Sequence, residues 1–449
     1  MTAFALALAA ILAAAPAGPR LVVLTDVGGD SDDQQSLVRL LLHADGLDIE
    51  GLCATSRMQH GHDTRPELLR ELVDAYGLVL PNLRVHSPGF PAAERLLGAV
   101  RAGRGDPVPV GPGFDSECSE ALVAAVERED PRPLWVAVWG GTRELAQALD
   151  RLRRDRPAVR VEALVSRFRV HAIGDQDGHR TRLLRENPGL VFVASGLASQ
   201  ADLKLNEIAA YRGQYMTGDT GTLGRDWVVR HVREGHGPLG ALYPLDGHGV
   251  PGMKEGDTPS FLGLVPNGLN VPERPDWGGW GGRFRLVRDR LFGDAADYID
   301  GIPNERHSVA RWRDAFQREF AARLDWCVAS RAEANHPPLA VLGGDAGDAP
   351  REIEASPGEA VVLDALASRD PDGDALDFRF WVYAEAGKGF PEPVRIDGAD
   401  SPRARVHVPR PTRLRSIHVV LEVTDRGHPP LTRYRRVVLR VRSFRDELE

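Results

Sequence analysis

Residues 21–26 form a nearly unbroken apolar run that ends in a carboxylate, and three more carboxylates follow within seven residues, at Asp30, Asp32 and Asp33. A short continuous apolar run is the mark of a strand buried on both faces, and such strands belong to parallel sheets covered by helices on each side. Ser31 then offers an N-cap, with Gln34 three residues on as its capping-box partner. Leu37, Val38, Leu40, Leu41 and Leu42 supply the apolar side of the helix that follows. The chain therefore starts as strand, acidic loop, helix. Ligands of open α/β sheets bind at the carboxyl ends of the strands, so this geometry brings the four aspartates into one small volume.

The alternation continues. Residues 48–55 read as the next strand, Pro66 as the start of a helix that Gly77 ends, and 134–139 as a third apolar strand. Gly140-Gly141 and a helix to about residue 153 follow, with further strands expected over 161–165 and 190–194. This predicts an α/β fold, an open and mostly parallel sheet with helices on both faces. From about Trp326 the texture changes. Asn335-His336-Pro337-Pro338 reads as linker, and short runs at β spacing follow at 360–363, 378–382, 404–408, 417–423 and 434–441. Turn clusters such as Asp370-Pro371-Asp372-Gly373-Asp374 separate them, and we read that cluster as turn chemistry in preference to a cation loop. The pattern is that of a small Ig-like β-sandwich. The expected division is a signal peptide at 1–17, an α/β domain at 18–330, a linker at 331–345 and a sandwich at 346–445.

The formal charge of −8 gives no electrostatic support for nucleic-acid binding. An apolar stretch ending in Ala15-Pro16-Ala17 has the form of a cleavable leader, so export is expected. No later segment is apolar enough to span a bilayer. Cys53, Cys118 and Cys327 make neither a disulfide framework nor a zinc spacing. A homo-oligomer is left open.

Four like charges gathered at a strand end repel one another unless a cation neutralises them. A hard divalent ion suits them, because Ca²⁺ takes six to eight oxygen ligands in flexible geometry. Trp139, Trp277 and Trp280 offer faces on which a sugar or base could stack. Asp175, Asp177 and His171, near the end of another strand, are candidates for protonating a leaving group.

These residues resemble a known family. Calcium-dependent nucleoside hydrolases carry Asp-Pro-Gly-x-Asp-Asp after their first strand, and Asp26-Val27-Gly28 with Asp32-Asp33 is similar, with two extra residues before the pair. The branch described as cellulose-binding, a nucleoside-hydrolase-like domain followed by a β-sandwich, resembles the chain more closely. Its texture Thr-Asp-Ile-Gly-Asn-Glu-Pro-Asp-Asp-Gln aligns with residues 25–34, where Gly29, Asp30 and Ser31 fill the variable places. Further similar runs lie at 130–136, 139–149, 175–177, 237–240, 255–262, 267–269 and 277–283. The resemblance implies Asp26 as general base and calcium ligand, Asp33 and Asp257 as calcium ligands, and Asp32 as the holder of a sugar hydroxyl. It places Asp30 on the rim of the sugar site and Asn267 as a donor to a sugar hydroxyl. Arg143 stands where the branch commonly has Asn, so its guanidinium is expected to point away from the cation or to pair with an acid. The implied activity is calcium-dependent hydrolysis of an N-ribosidic or other glycosidic bond in a small-molecule or glycan substrate. The alternative is a non-catalytic carbohydrate-binding protein.

Overall fold

The computed structural model describes residues 18–57, 61–105, 108–196, 217–247, 252–387, 393–410 and 415–441. The expected leader at 1–17 lies outside the described residues. The α/β unit runs β1 (Arg20–Thr25), α1 (Ser31–Leu42), β2 (Asp48–Ala54), α2 (Pro66–His86), α3 (Ala93–Leu97), β3 (Val100–Ala102), α4 (Glu117–Glu127) and β4 (Leu134–Val138). It continues through α5 (Arg143–Asp155), α6 (Ala158–Val165), β5 (Phe168–Ile173), α7 (Arg180–Glu186) and β6 (Val191–Ser195). The short helices α8 (Arg225–Val228), α9 (Gly237–Ala241) and α10 (Pro259–Leu262) follow. Then come β7 (Phe284–Arg288), β8 (Leu291–Asp294), the hairpin β9 (Asp297–Ile299) and β10 (Ile302–Asn304), α11 (His307–Ala310) and α12 (Arg313–Asp325).

Eight strands form one sheet in the order β3-β2-β1-β4-β5-β6-β8-β7, parallel except for the β7 edge. β1 sits between β2 and β4, and all six of its residues are buried. Its side chains alternate between two cores: Leu21 and Val23 join one, Val22 and Leu24 the other. That is why the run is apolar without interruption. The expected open α/β sheet is thus observed.

Three local expectations are corrected. Ser31 is the first residue of α1 and makes no capping box; its hydroxyl donates to Asp246 Oδ1 at 2.8 Å, and Asp30 occupies the cap without a side-chain cap bond. The helix begun at Pro66 runs through Gly77 and Pro81 to His86. Burial of Leu69, Leu72, Val73, Tyr76, Val79, Leu80 and Leu83 along one side outweighs the local propensity of those two residues. Residues 161–165 are helix α6, with Val161, Leu164 and Val165 buried at the i, i+3, i+4 positions of a helical face. The strand of that region is β5.

The C-terminal unit is a sandwich of two sheets. Strands β11 (Arg351–Ala355), β13 (Leu376–Val382), β16 (Arg415–Asp425) and β17 (Thr432–Val441) make one, in the order β11-β17-β16-β13. Strands β12 (Ala360–Asp364), β14 (Ile396–Asp397) and β15 (Arg403–His407) make the other. Val419, Leu421, Val423, Val437 and Leu439 face the core between them. Val420 and Tyr434, on the opposite side of the same strands, belong to the core of the α/β unit. One sheet therefore serves two cores, and the units share a dry seam. Polar groups close it: the Arg436 guanidinium donates to the carbonyls of Leu269, Trp277 and Gly278, and Arg433 Nη1 lies 2.6 Å from Glu319 of α12. Asn335 and His336, read as linker, are buried in this seam, the imidazole of His336 3.0 Å from Asp372. Asp370 Oδ1 accepts the backbone N–H groups of Asp372 and Asp374, which is the expected turn chemistry.

Candidate functional site

The first chain turn after β1 is tight: Gly29 N–H returns to Asp26 O at 3.0 Å, with Gly28 at φ 87°. This turn places Asp26 at the strand end and Asp32 and Asp33 in the first turn of α1, where the helix dipole favours negative charge. Asp257 arrives from the segment just before α10. Carboxylate oxygens of Asp32, Asp33 and Asp257 lie within 4.8 Å of one another. All three residues are buried, and Asp257 is 1% exposed. Asp26 stands against them, its charge raising the pKa of both Asp33 and Asp257.

Two glycines exist to make room for these acids. A Cβ on Gly140 would lie 2.7 Å from Asp26 Oδ1, and one on Gly141 would lie 2.4 Å from Asp177 Oδ2. The β4–α5 loop thus approaches the β1 end backbone-first. Thr25 Oγ1 donates to Asp33 Oδ1 and fixes that carboxylate.

The electrostatics are those of a site short of positive charge. Burial, then Asp32 and Asp30, push Asp26 up to about 7. Burial and neighbouring carboxylates also hold Asp33 and Asp257 well above the usual carboxylate range. Asp257 Oδ2 is buried with no hydrogen-bond partner. An orphaned carboxylate oxygen beside two more carboxylates fits a hard cation held by oxygen donors. The three carboxylates that gather within 4.8 Å of one another are Asp32, Asp33 and Asp257, and Asp26 flanks them.

Sequence reasoning missed Lys254. Its ammonium lies 2.6 Å from Asp30 Oδ2 and 3.3 Å from Asp32 Oδ1. It is one of only three lysines in a chain otherwise supplied with arginine, at 204, 254 and 388. That rarity was the available signal, but nothing local connects it to an acidic loop 222 residues earlier.

The remaining expected site residues have other partners, with Asp177 against the same β4–α5 loop. Asp177 accepts Arg143 N–H at 2.7 Å and Thr142 Oγ1 at 3.0 Å, and so caps α5. Asp175 accepts Arg180 N–H at 3.2 Å at the start of α7. His171 is buried, its Nε2 2.9 Å from Ser195 Oγ, and burial lowers its pKa to about 3, so the ring is neutral. Trp139 is buried, its indole N–H donating to Ser260 Oγ at 2.8 Å, while Ser260 in turn donates to Asp257 O. It braces the Asp257 segment from behind. Trp280, wholly buried, packs edge-on to Tyr434, and Trp277 packs edge-on to His418, both at the sandwich seam. Asn267 Oδ1 accepts Leu269 and Asn270 N–H, and its carbonyl accepts Tyr434 N–H. The Arg143 guanidinium turns away from the aspartates to Glu144 and to the carbonyls of Pro109 and Phe114.

Comparisons with known proteins agree with this layout. The model of a cellulose-binding Sde182 nucleoside hydrolase-like domain matches residues 20–284. The model of the cellulose-binding protein Sde0182 C-terminal domain matches residues 360–441. The structure of a nucleoside hydrolase-related hypothetical protein from Saccharophagus degradans, associated with carbohydrate metabolism, is 33% identical. It covers 95% of this chain and 100% of its own, with a TM-score of 0.82. The effector protein XOO4466 is 9% identical over 70% of this chain and 95% of its own, with a TM-score of 0.39. No curated protein matches.

Proposed function

Because this chain belongs to the cellulose-binding Sde182 nucleoside hydrolase-like family, we propose that it is a calcium-dependent hydrolase of a glycosidic bond in a small saccharide or nucleoside. The observation that carries this reading is the convergence of Asp32, Asp33 and Asp257 beside Asp26, with one oxygen of Asp257 left without a donor. Asp33 and Asp257 would hold the cation, with Asp32 shared between it and a sugar hydroxyl. Bound calcium supplies a fixed water of lowered pKa and an anchor for vicinal hydroxyls.

The chain's own residues do the rest. Asp26, with its affinity for protons raised by burial, accepts the proton of the attacking water. The water oxygen bonds to the anomeric carbon as the bond to the leaving group breaks, the leaving group departs with the bonding pair and takes a proton from solvent, and the carboxylates below the ring stabilise the ring's oxocarbenium character. His171 is a poor leaving-group acid here, since its ring is neutral and hydrogen-bonded to Ser195. Export, expected from the apolar stretch ending in Ala15-Pro16-Ala17, would suit a glycan more than a salvage nucleoside.

A second reading, carbohydrate binding without turnover, is favoured by Lys254, whose ammonium already occupies part of the acceptor capacity of Asp32. Aryl glycosides and nucleosides assayed on chelated and calcium-reloaded protein separate the two. Turnover that requires calcium and vanishes in Asp26→Asn supports hydrolysis. Retention on glycan with no turnover of any substrate supports binding alone.

A further inference from the structure

The seam between the two units opens on one side into a cleft of ≈ 380 Å³ that no site aspartate lines. Its walls come from the β9–β10 hairpin, the start of α12 and the outer face of strands β13 and β16. We propose that this cleft is a second, non-catalytic binding site for a neutral glycan chain. The proposal shares with the functional reading only the premise that the ligand is a carbohydrate.

Three aromatic residues line it. Tyr298 is 53% exposed, Trp381 is half-buried, and Trp312 is buried with no acceptor for its indole N–H. An exposed tyrosine is common, but the backbone that carries this one is held. The hairpin turns tightly at Asp300 and Gly301, at φ 52° and 77°, and the backbone N–H of Tyr298 donates to Glu385 Oε1 at 3.1 Å. The Trp381 ring itself is held by its indole N–H to Glu422 Oε1 at 2.9 Å. A ring anchored as Trp381 is binds a flat, C–H-rich sugar face with little conformational entropy lost. Trp, Tyr and Arg are also the residues on which binding energy concentrates.

The charges of the lining decide the class of ligand. Asp219, Asp314 and Glu422 are matched by Arg311, Arg313 and Arg379, three of each sign. A polyanion would want an excess of arginine, and a cationic ligand an excess of acid. Balanced, partly solvated charges beside aromatic faces offer donors and acceptors to hydroxyl groups without net field. The volume lies in the range of small-molecule pockets and is open at the surface, so a chain could run through it.

The test uses the full-length protein with Tyr298→Ala and Arg379→Ala, whose side chains are largely solvent-facing, so their removal leaves the fold intact by circular dichroism. Cellohexaose titrations read by indole fluorescence, and retention on amorphous cellulose, report binding. Polygalacturonate is the anionic comparison. The expected result is that each surface variant weakens cellohexaose about ten-fold, and that the pair abolishes retention while its turnover of aryl glycosides stays at the wild-type rate. No wild-type binding of cellohexaose, binding kept in the surface variants, or a preference for polygalacturonate would each overturn the proposal. None of those outcomes touches calcium-dependent turnover, which is measured separately on the aryl glycosides.

Discussion

Replacing Asp26 with Asn should make the metal-free protein more stable at high pH and the calcium-loaded protein less so. Asp26 is 8% exposed, and burial with the charges of Asp32 and Asp30 raises its pKa from 3.8 to about 7. The folded protein thus binds a proton there that the unfolded chain has already released across that interval. Stability contributed by the protonated carboxyl is present at low pH and is lost as pH rises toward 7. Linkage with these two values gives a loss of roughly 2–3 kcal/mol between pH 5 and pH 8. Asn keeps the shape of the neutral acid and does not ionise. The buried histidines His43, His171 and His418, whose pKa values burial lowers, give the opposite slope below pH 6.5, but they do so in both proteins and cancel in the difference. Urea unfolding of both proteins in chelator at pH 5, 6.5 and 8 measures that difference directly. It should shift toward the variant by roughly 2–3 kcal/mol over the range, and excess calcium should reverse its sign. Parallel pH profiles in chelator, or no response to calcium in either protein, would refute the reasoning.

Lys254→Met removes the ammonium 3.3 Å from Asp32. Calcium affinity by isothermal titration should rise by at least about ten-fold, because one positive charge no longer competes for that carboxylate; an unchanged affinity counts against Lys254 as the counter-ion. Glu319→Gln leaves Arg323 and Arg433 without their shared anion in the seam. We expect a loss of about 3–5 kcal/mol and a calorimetric transition that splits in two as the sandwich undocks; a single unshifted peak would show that the apolar seam alone holds the units together. Gly140→Ala drives a methyl group to within 2.7 Å of Asp26. Calcium binding should fall at least ten-fold while the melting point drops by the few degrees expected of about 1–3 kcal/mol of overpacking, and wild-type calcium affinity would contradict the tight backbone approach.

The acidic loop was legible because its cause is local. An apolar run of strand length, a turn and a helix start follow one another in sequence, and their order alone brings Asp26, Asp32 and Asp33 to one end of β1. The expected sandwich strands appear in β12, β13, β15, β16 and β17 for a similar reason, since alternation against turn clusters is a short-range signal. Residues 161–165 misled because four apolar residues among five suit a strand or a buried helix face equally. Gly77 misled because propensity is weak against the burial of a whole helix side. The β7–β10 hairpins escaped because their strands are three to five residues long and carry exposed polar positions.

What the sequence by itself determined is therefore the order of layers, the position of the acids at a strand end and the existence of a second β unit. What only the tertiary structure decided is which groups share a volume across long stretches of chain. Lys254 meets Asp30 and Asp32, Asp257 completes the carboxylate cluster, and Trp277, Trp280 and Asn267 go to the seam. The physical reason is the sheet β11-β17-β16-β13. One face is apolar, the other sets Val420, Tyr434 and Trp381 among His418, Glu422 and Arg436, and alternation records only that a face is buried, never against what. Docking of that second face onto the α/β core buries the tryptophans that a linear reading placed beside a sugar, and it creates at its edge the aromatic cleft that no segment of the chain contains on its own.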